Sequence, residues 1–215
     1  AEQTPDALVK FGVCQKRLAV QLQPGNERND ALNKARAAFE RLQREFPQSP
    51  VIGTAHLERA KVLALQGDKG NAINALRQFA NDPLQKSPAA PLGYIYLGTL
   101  LREQNQAPQA AQALQEARQK FEGQLSAAQK VEWVALLRYH HGVALFEGGK
   151  PVEARTAFDA AAQAAPNLPV AVEASLKGAQ CLAEEAKAKV AAAEKQRQQP
   201  NLRPDQVAAF EVQLK

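Results

Sequence analysis

Apolar residues recur along this chain every three or four positions, the spacing of one face of a helix. Tyr94, Leu97 and Leu101 form one such stripe, and Ala110, Leu114 and Ala117 form the next. No alternating Val, Ile, Thr and Tyr run of strand length interrupts the pattern. The periodicity predicts ten helices, over 5–22, 29–46, 50–65, 68–80, 89–104, 107–122, 126–147, 150–164, 168–198 and 204–214. The ninth is unusual: after Gly178 and Cys181 no turn follows, and the chain runs on through polar and Ala-rich sequence to Pro200.

A template repeats within these helices. It consists of a small residue, an apolar residue three later, a turn near seven, a small residue at twelve and a large apolar residue four further on. Ala60, Leu63, Gly67, Ala72 and Leu76 fill it once. Gly98, Leu101, Ala110 and Leu114 fill it again, and Gly142, Leu145, Gly149, Ala154 and Phe158 a third time. The physical unit is a helical hairpin, in which the small residue of the first helix lets the second approach closely. Gly67 and Gly149 suit the left-handed position that ends a helix, and Pro108 and Pro151 the first turn of the next. In the first hairpin the small residue is Gly12, opposite Ala35 and Phe39, with "QPGNERN" (23–29) extending the connection. Ser126 and Gln129 read as a capping box that opens the helix over 126–147, with Trp133 in its extra turn, packed on the preceding hairpin.

The segments "YIYLG" (94–98), "KARAAFERLQREFP" (34–47) and "EARTAFDAAAQAAP" (153–166) make the chain resemble the tetratricopeptide repeat family, in a divergent bacterial form. The resemblance covers about residues 29–182. The anchors Ala35, Ala72, Ala110 and Ala154 are spaced by 37, 38 and 44 residues, against a family period of about 34. The extra length falls in the loop 80–90 and in the longer helix 126–147. The resemblance implies an all-α, right-handed solenoid of helical hairpins with a long C-terminal capping helix. As one domain over 1–215 it comprises a divergent hairpin over 1–47, hairpins over 50–80, 89–122 and 126–166, and the capping region 168–215.

Composition agrees and adds constraints. The chain has 215 residues, 45% hydrophobic and 23% charged, with Ala, Leu, Gln and Glu prominent, which favours helices. The net charge of +5 is interspersed, with Lys16-Arg17 and Lys187-Lys189 lying among acids and glutamines. Nucleic-acid binders gather cations on one face, so no nucleic-acid partner is expected. No apolar run is long enough to insert in a membrane. Cys14 and Cys181 lie near opposite ends and read as two buried thiols, not a disulfide. The start at Ala1 without any Met implies a removed initiator, a cleaved signal peptide or a fragment of a longer protein.

Candidate chemistry is sparse. Adjacent helical residues point about 100° apart, so His140 and His141 do not share an ion easily. The third histidine, His56, lies in another repeat, and no metal or cofactor is expected. Glycine-rich "GDKGNA" (67–72) follows a helix and fits a hairpin turn instead of a phosphate loop. With no HExxH, CxxC or nucleophile elbow, the expectation is a non-enzyme. Pairs such as Glu58 and Lys61 read as solvated helix faces.

The resemblance implies a concave groove lined by first helices. In this numbering it would present Leu57, Glu58, Lys61 and Ala64, then Ile95, Tyr96, Thr99 and Arg102, then Tyr139, His140, Val143 and Phe146. Such an apolar and aromatic surface suits a partner helix or an extended peptide. The expected function is a protein–protein interaction scaffold or adaptor. The alternative is a self-assembling homo-oligomer, with Val207, Phe210 and Leu214 as the associating stripe. A periplasmic or cell-envelope setting is expected, with the cytoplasm as the alternative.

Overall fold

The computed structural model describes residues 4–197. The chain divides into two compact units, residues 1–121 and 122–215. Among the described residues the regular structure is helical throughout. The helices are α1 (Pro5–Gln21), α2 (Asn26–Glu45), α3 (Ile52–Leu65), α4 (Lys69–Arg77), α5 (Ala90–Glu103), α6 (Ala107–Ala127), α7 (Val131–Glu147), α8 (Pro151–Ala164) and α9 (Pro169–Arg197). The tenth expected helix, over 204–214, lies outside the described residues.

In the first unit α1 to α5 each pack on the next, and α1 also touches α3 and α3 touches α5. Contacts that skip one helix are those of stacked hairpins in a solenoid. The core forms because each helix carries one apolar face: on α2 it is Ala31, Leu32, Ala35, Ala38, Phe39 and Leu42. In the second unit α7 packs on α8, α8 on α9, and α7 also touches α9.

The small-against-large template is realised in atoms. A Cβ built on Gly12 would stand 2.6 Å from the Phe39 ring, on Gly98 2.6 Å from Leu114, and on Gly142 2.8 Å from Phe158. All three large partners are fully buried. A methyl group at any of the three glycines therefore forces a helix apart or a core side chain off its rotamer.

Four helices end alike. Asp68 N–H donates to the Leu63 carbonyl at 2.9 Å, Gln106 to Leu101 at 2.8 Å, Lys130 to Leu125 at 2.9 Å and Lys150 to Leu145 at 2.9 Å. These bonds span five residues and need a left-handed residue at the turn. Gly67 and Gly149 supply it, and at the other two turns Asn105 (φ 58°) and Gln129 (φ 56°) do so.

This overturns the capping-box expectation. Ser126 belongs to the last turn of α6, and Gln129 is the left-handed stop, not the start of a helix. Trp133, at the start of α7, is half-buried. Three other boundaries differ. Helix α2 begins at Asn26, inside the stretch expected to be connection. Helix α4 ends at Arg77, followed by a single 3-10 turn that buries Phe79. A second 3-10 turn, Leu84–Lys86, occupies the expected loop and buries Leu84. Cys181 is buried as expected, but Cys14 is exposed. The buried face of α1 is Leu8, Gly12 and Ala19, and Cys14 points away from it.

Candidate functional site

The first-helix positions of the first unit lie on α3 and α5. Leu57 and Ile95 are buried and serve the core. Lys61, Tyr96, Thr99 and Arg102 are partly exposed. Thr99 Oγ1 donates to the Ile95 carbonyl at 3.0 Å, which fixes the hydroxyl on its own helix.

A carboxylate organises this face. Glu58 is only 8% exposed, not a solvated surface acid. It is ion-paired with Lys16 of α1, and Lys61 Nζ reaches its other oxygen at 2.7 Å. Burial pushes the Glu58 carboxyl up, but the hydrogen bonds from Lys16 and Lys61 outweigh it and hold the group below the usual carboxylate range. The sequence shows Glu58 and Lys61 three residues apart. It does not show that Lys16, 42 residues upstream, completes the triad. Only the α1–α3 packing brings it there.

Tyr96 stands beside this triad. Burial raises the pKa of its phenol, and the nearby Glu103 and Glu58 carboxylates add to the effect. The hydroxyl therefore stays protonated and remains a hydrogen-bond donor across the ordinary pH range. The face is thus aromatic and ion-paired, richer in fixed charge than its sequence implied.

In the second unit the corresponding positions lie on α7. Val143 is buried, while Tyr139, His140 and Phe146 are partly exposed. Tyr139 packs edge-on against His140 with ring centroids 5.4 Å apart, and against Phe158 at 5.8 Å. Such ring pairs prefer tilted and T-shaped geometry. His141 is buried, as its place before Gly142 implied. Arg138 of α7 pairs with Glu122 of α6 and donates to the Ala160 carbonyl of α8 at 2.9 Å. That arginine ties three helices together.

Among the described residues no group of three or more His, Cys, Asp or Glu side chains converges as a metal site. Nor is any described helix long and apolar enough to cross a membrane. Val207, Phe210 and Leu214 lie outside the described residues.

Known proteins resemble this chain in fold. Two structures of a putative kinesin light chain from Podosopora anserina, with nearly identical TPR-like repeats, match at TM-score 0.64. One is 14% identical, covering 99% of this chain and 98% of that one. The other is 15% identical, with 100% and 99% covered. A thermophilic TPR protein of Thermus thermophilus is 18% identical over 94% of this chain and 98% of that one, at TM-score 0.49. No curated protein matches in sequence. Proteins of this fold generally serve as scaffolds for protein–protein interaction. The family model of the tetratricopeptide repeat-like domain matches residues 16–178. With glycine-to-knob packing in its hairpins and this match over most of its length, the chain belongs to the tetratricopeptide repeat-like family.

Proposed function

We propose that this chain is a non-catalytic protein–protein interaction module that seats a partner helix or extended peptide on its first-helix faces. The observation that carries the reading is the ordered face around Tyr96. Its phenol is half-buried and stays protonated, and the Lys16–Glu58–Lys61 triad beside it is already paired. Groups fixed before binding lose little entropy on binding, so they favour affinity and specificity. In the second unit Tyr139, His140 and Phe146 supply the aromatic anchors that dominate interface energies. The setting we favour is the bacterial periplasm or cell envelope, in line with the Ala- and Gln-rich composition. Affinity capture with the intact chain, and with Tyr96→Ala and Tyr139→Ala, tests the proposal. Retention of a partner by the intact chain and its loss with either variant supports the reading. Undiminished retention by both variants overturns it.

A second reading has its own observation. Along α9, Val172, Leu176, Ala179, Ala183, Ala186 and Val190 are all exposed. Their spacing alternates four and three residues, the seam of a helix that packs on another helix. This favours self-assembly through the C-terminal region. Sedimentation equilibrium on the full chain and on a chain ending at Gln199 separates the cases. A mass that rises with concentration only in the full chain supports association through the terminal segment. A rise in both points to α9, and a monomer in both removes this reading.

A further inference from the structure

A second surface lies in the cleft between α2, α3 and α4. Arg36 Nε donates to Glu40 Oε1 at 2.8 Å, and Arg59 Nε donates to the same oxygen at 3.2 Å. One carboxylate thus orients two guanidinium groups. Each is gripped through Nε, which leaves the terminal Nη donors outside those two bonds. With His56 the two arginines line a cavity of about 450 Å³.

The opposite wall is α4 and the 3-10 turn that continues it, where Asn71, Asn74 and Gln78 form one exposed stripe at helical spacing. From 71 to 78 the stripe spans about 10 Å along the axis. That length matches about three residues of extended chain. Side-chain amides both donate and accept, as peptide groups do, so the wall matches a peptide backbone better than a lone anion.

The cleft continues. A neighbouring cavity of about 290 Å³ shares His56 and Gln78 and runs over Ile52, Leu84, Pro47 and Pro83. In its wall Gln43 Nε2 is buried and has no hydrogen-bond acceptor among the described residues. The acids near the arginines are already engaged. Asp82 pairs with Lys86 at 2.7 Å, and Asp68 accepts from the backbone and side-chain N–H groups of Asn71.

We propose that this cleft binds an extended segment of another protein that carries an acidic side chain. The carboxylate pairs with Arg36 and Arg59, the backbone runs along the amides of α4, and an adjacent apolar residue enters the Ile52–Leu84 cavity. The occupant follows from charge and shape: two oriented guanidinium groups, an amide stripe of peptide length and an apolar neighbour. The surface shares α3 with the first-helix face but uses other side chains of it, His56 and Arg59, together with α2 and α4. It stands whether or not Tyr96 binds a partner.

His56 is the built-in reporter. Burial lowers its pKa to about 4, and Arg59 contributes to the shift. Arg36 of α2 and Arg59 of its own helix line the first cavity with it, Asp82 lines the second, and Glu40 of α2 holds Arg59. A carboxylate arriving at the arginines raises the pKa of His56.

The test is an NMR titration of the full chain with an acetylated, amidated pentapeptide that has a central aspartate flanked by leucines. The controls are the same peptide with asparagine at the centre, and sodium acetate. The proposal expects saturable shifts at His56 and at the Arg59 Nε–H, and a raised His56 pKa. It also expects binding about tenfold weaker for the asparagine peptide, the loss of one charge-assisted contact. Arg59→Gln and Gln78→Ala each weaken the aspartate peptide, and Tyr96→Ala leaves it unchanged. Gln78 is exposed, so its variant keeps the fold if the arginine variant does not. Equal binding of both peptides, acetate matching the peptide, or no shift at millimolar peptide overturns the proposal.

Discussion

The two units use one backbone plan and different surface chemistry. On α3 and α5 the first-helix face is organised by a buried carboxylate that joins Lys16 and Lys61, with Tyr96 beside it. On α7 the equivalent positions hold rings, with Tyr139 packed against His140 and Phe158. Beneath both faces lies the same event, a large side chain pressed on a glycine: Leu114 on Gly98, and Phe158 on Gly142. The repeat constrains what lies between the helices of a hairpin. It leaves the outward positions of the first helix free to differ, and the recognition we propose uses those positions.

Cutting the shared part has the largest effect. Phe158→Ala and Phe39→Ala each empty a fully buried site beside a glycine. Each is expected to cost about 3–5 kcal/mol, read as a lower midpoint in urea unfolding. Loss from only one of the two would show that the hairpins do not share their packing logic.

Removing the feature that distinguishes the first unit comes next. Glu58→Ala leaves Lys16 and Lys61 partly buried without their carboxylate, at side-chain exposures of 17% and 28%. The expected loss is about 1–3 kcal/mol. Double-mutant cycles with Lys16→Ala should show coupling between the two sites, whereas Glu58→Ala and Tyr139→Ala should be additive.

Two groups give the first unit a pH dependence. Glu58 has its pKa lowered in the folded chain, so its contribution is present above the unfolded value near 4.5 and fades as pH falls through the lower folded value. His56 is lowered from 6.5 to about 4. Below pH 6.5 the unfolded chain takes up a proton that folded His56 does not, so stability declines from there toward about pH 4. His56→Gln is expected to flatten the stability profile in that window, and Glu58→Gln to flatten it below about pH 4.5. Urea midpoints measured across about pH 2.5 to 7 check both.

The smallest effect lies in the turns. Gln129 holds a left-handed backbone at φ 56°, which costs a residue with a Cβ about 1 kcal/mol. Gln129→Gly is therefore expected to raise stability by about that amount, and Gly149→Ala, at φ 77°, to lower it similarly. Asn105→Gly should gain less, because asparagine tolerates this conformation. Thermal melts of the three variants order them.

These particulars show what the sequence disclosed. The hairpins were legible because one small-to-large spacing, from Gly98 to Leu114 and from Gly142 to Phe158, is set by close helix contact. Turns marked by glycine were legible too. The turn at 104–108 was legible through Pro108 and the hairpin spacing, with Asn105 in the left-handed position. The one held by Gln129 was not, since glutamine does not signal a left-handed backbone, and the capping-box pattern placed a helix start at Ser126 instead. The first-helix positions fall on α3, α5 and α7, but their burial was not readable. Leu57, Ile95 and Val143 turned into the core, and Glu58 became buried and paired. The Lys16–Glu58 pair and the Glu40–Arg59 pair join different helices, 42 and 19 residues apart in sequence. Local pattern carries no record of such contacts.

The central claim is that the exposed side chains of the first helices contact a partner protein. The most direct measurement is site-specific photo-crosslinking, with a photoreactive residue at position 96, at position 139, or at the exposed control position 152 on α8. Each labelled chain is exposed to an extract of its source and the adducts are compared. The account predicts one adduct shared by positions 96 and 139, displaced by excess unlabelled chain and missing from position 152. Adducts of equal yield at all three positions, or at 152 alone, would contradict it.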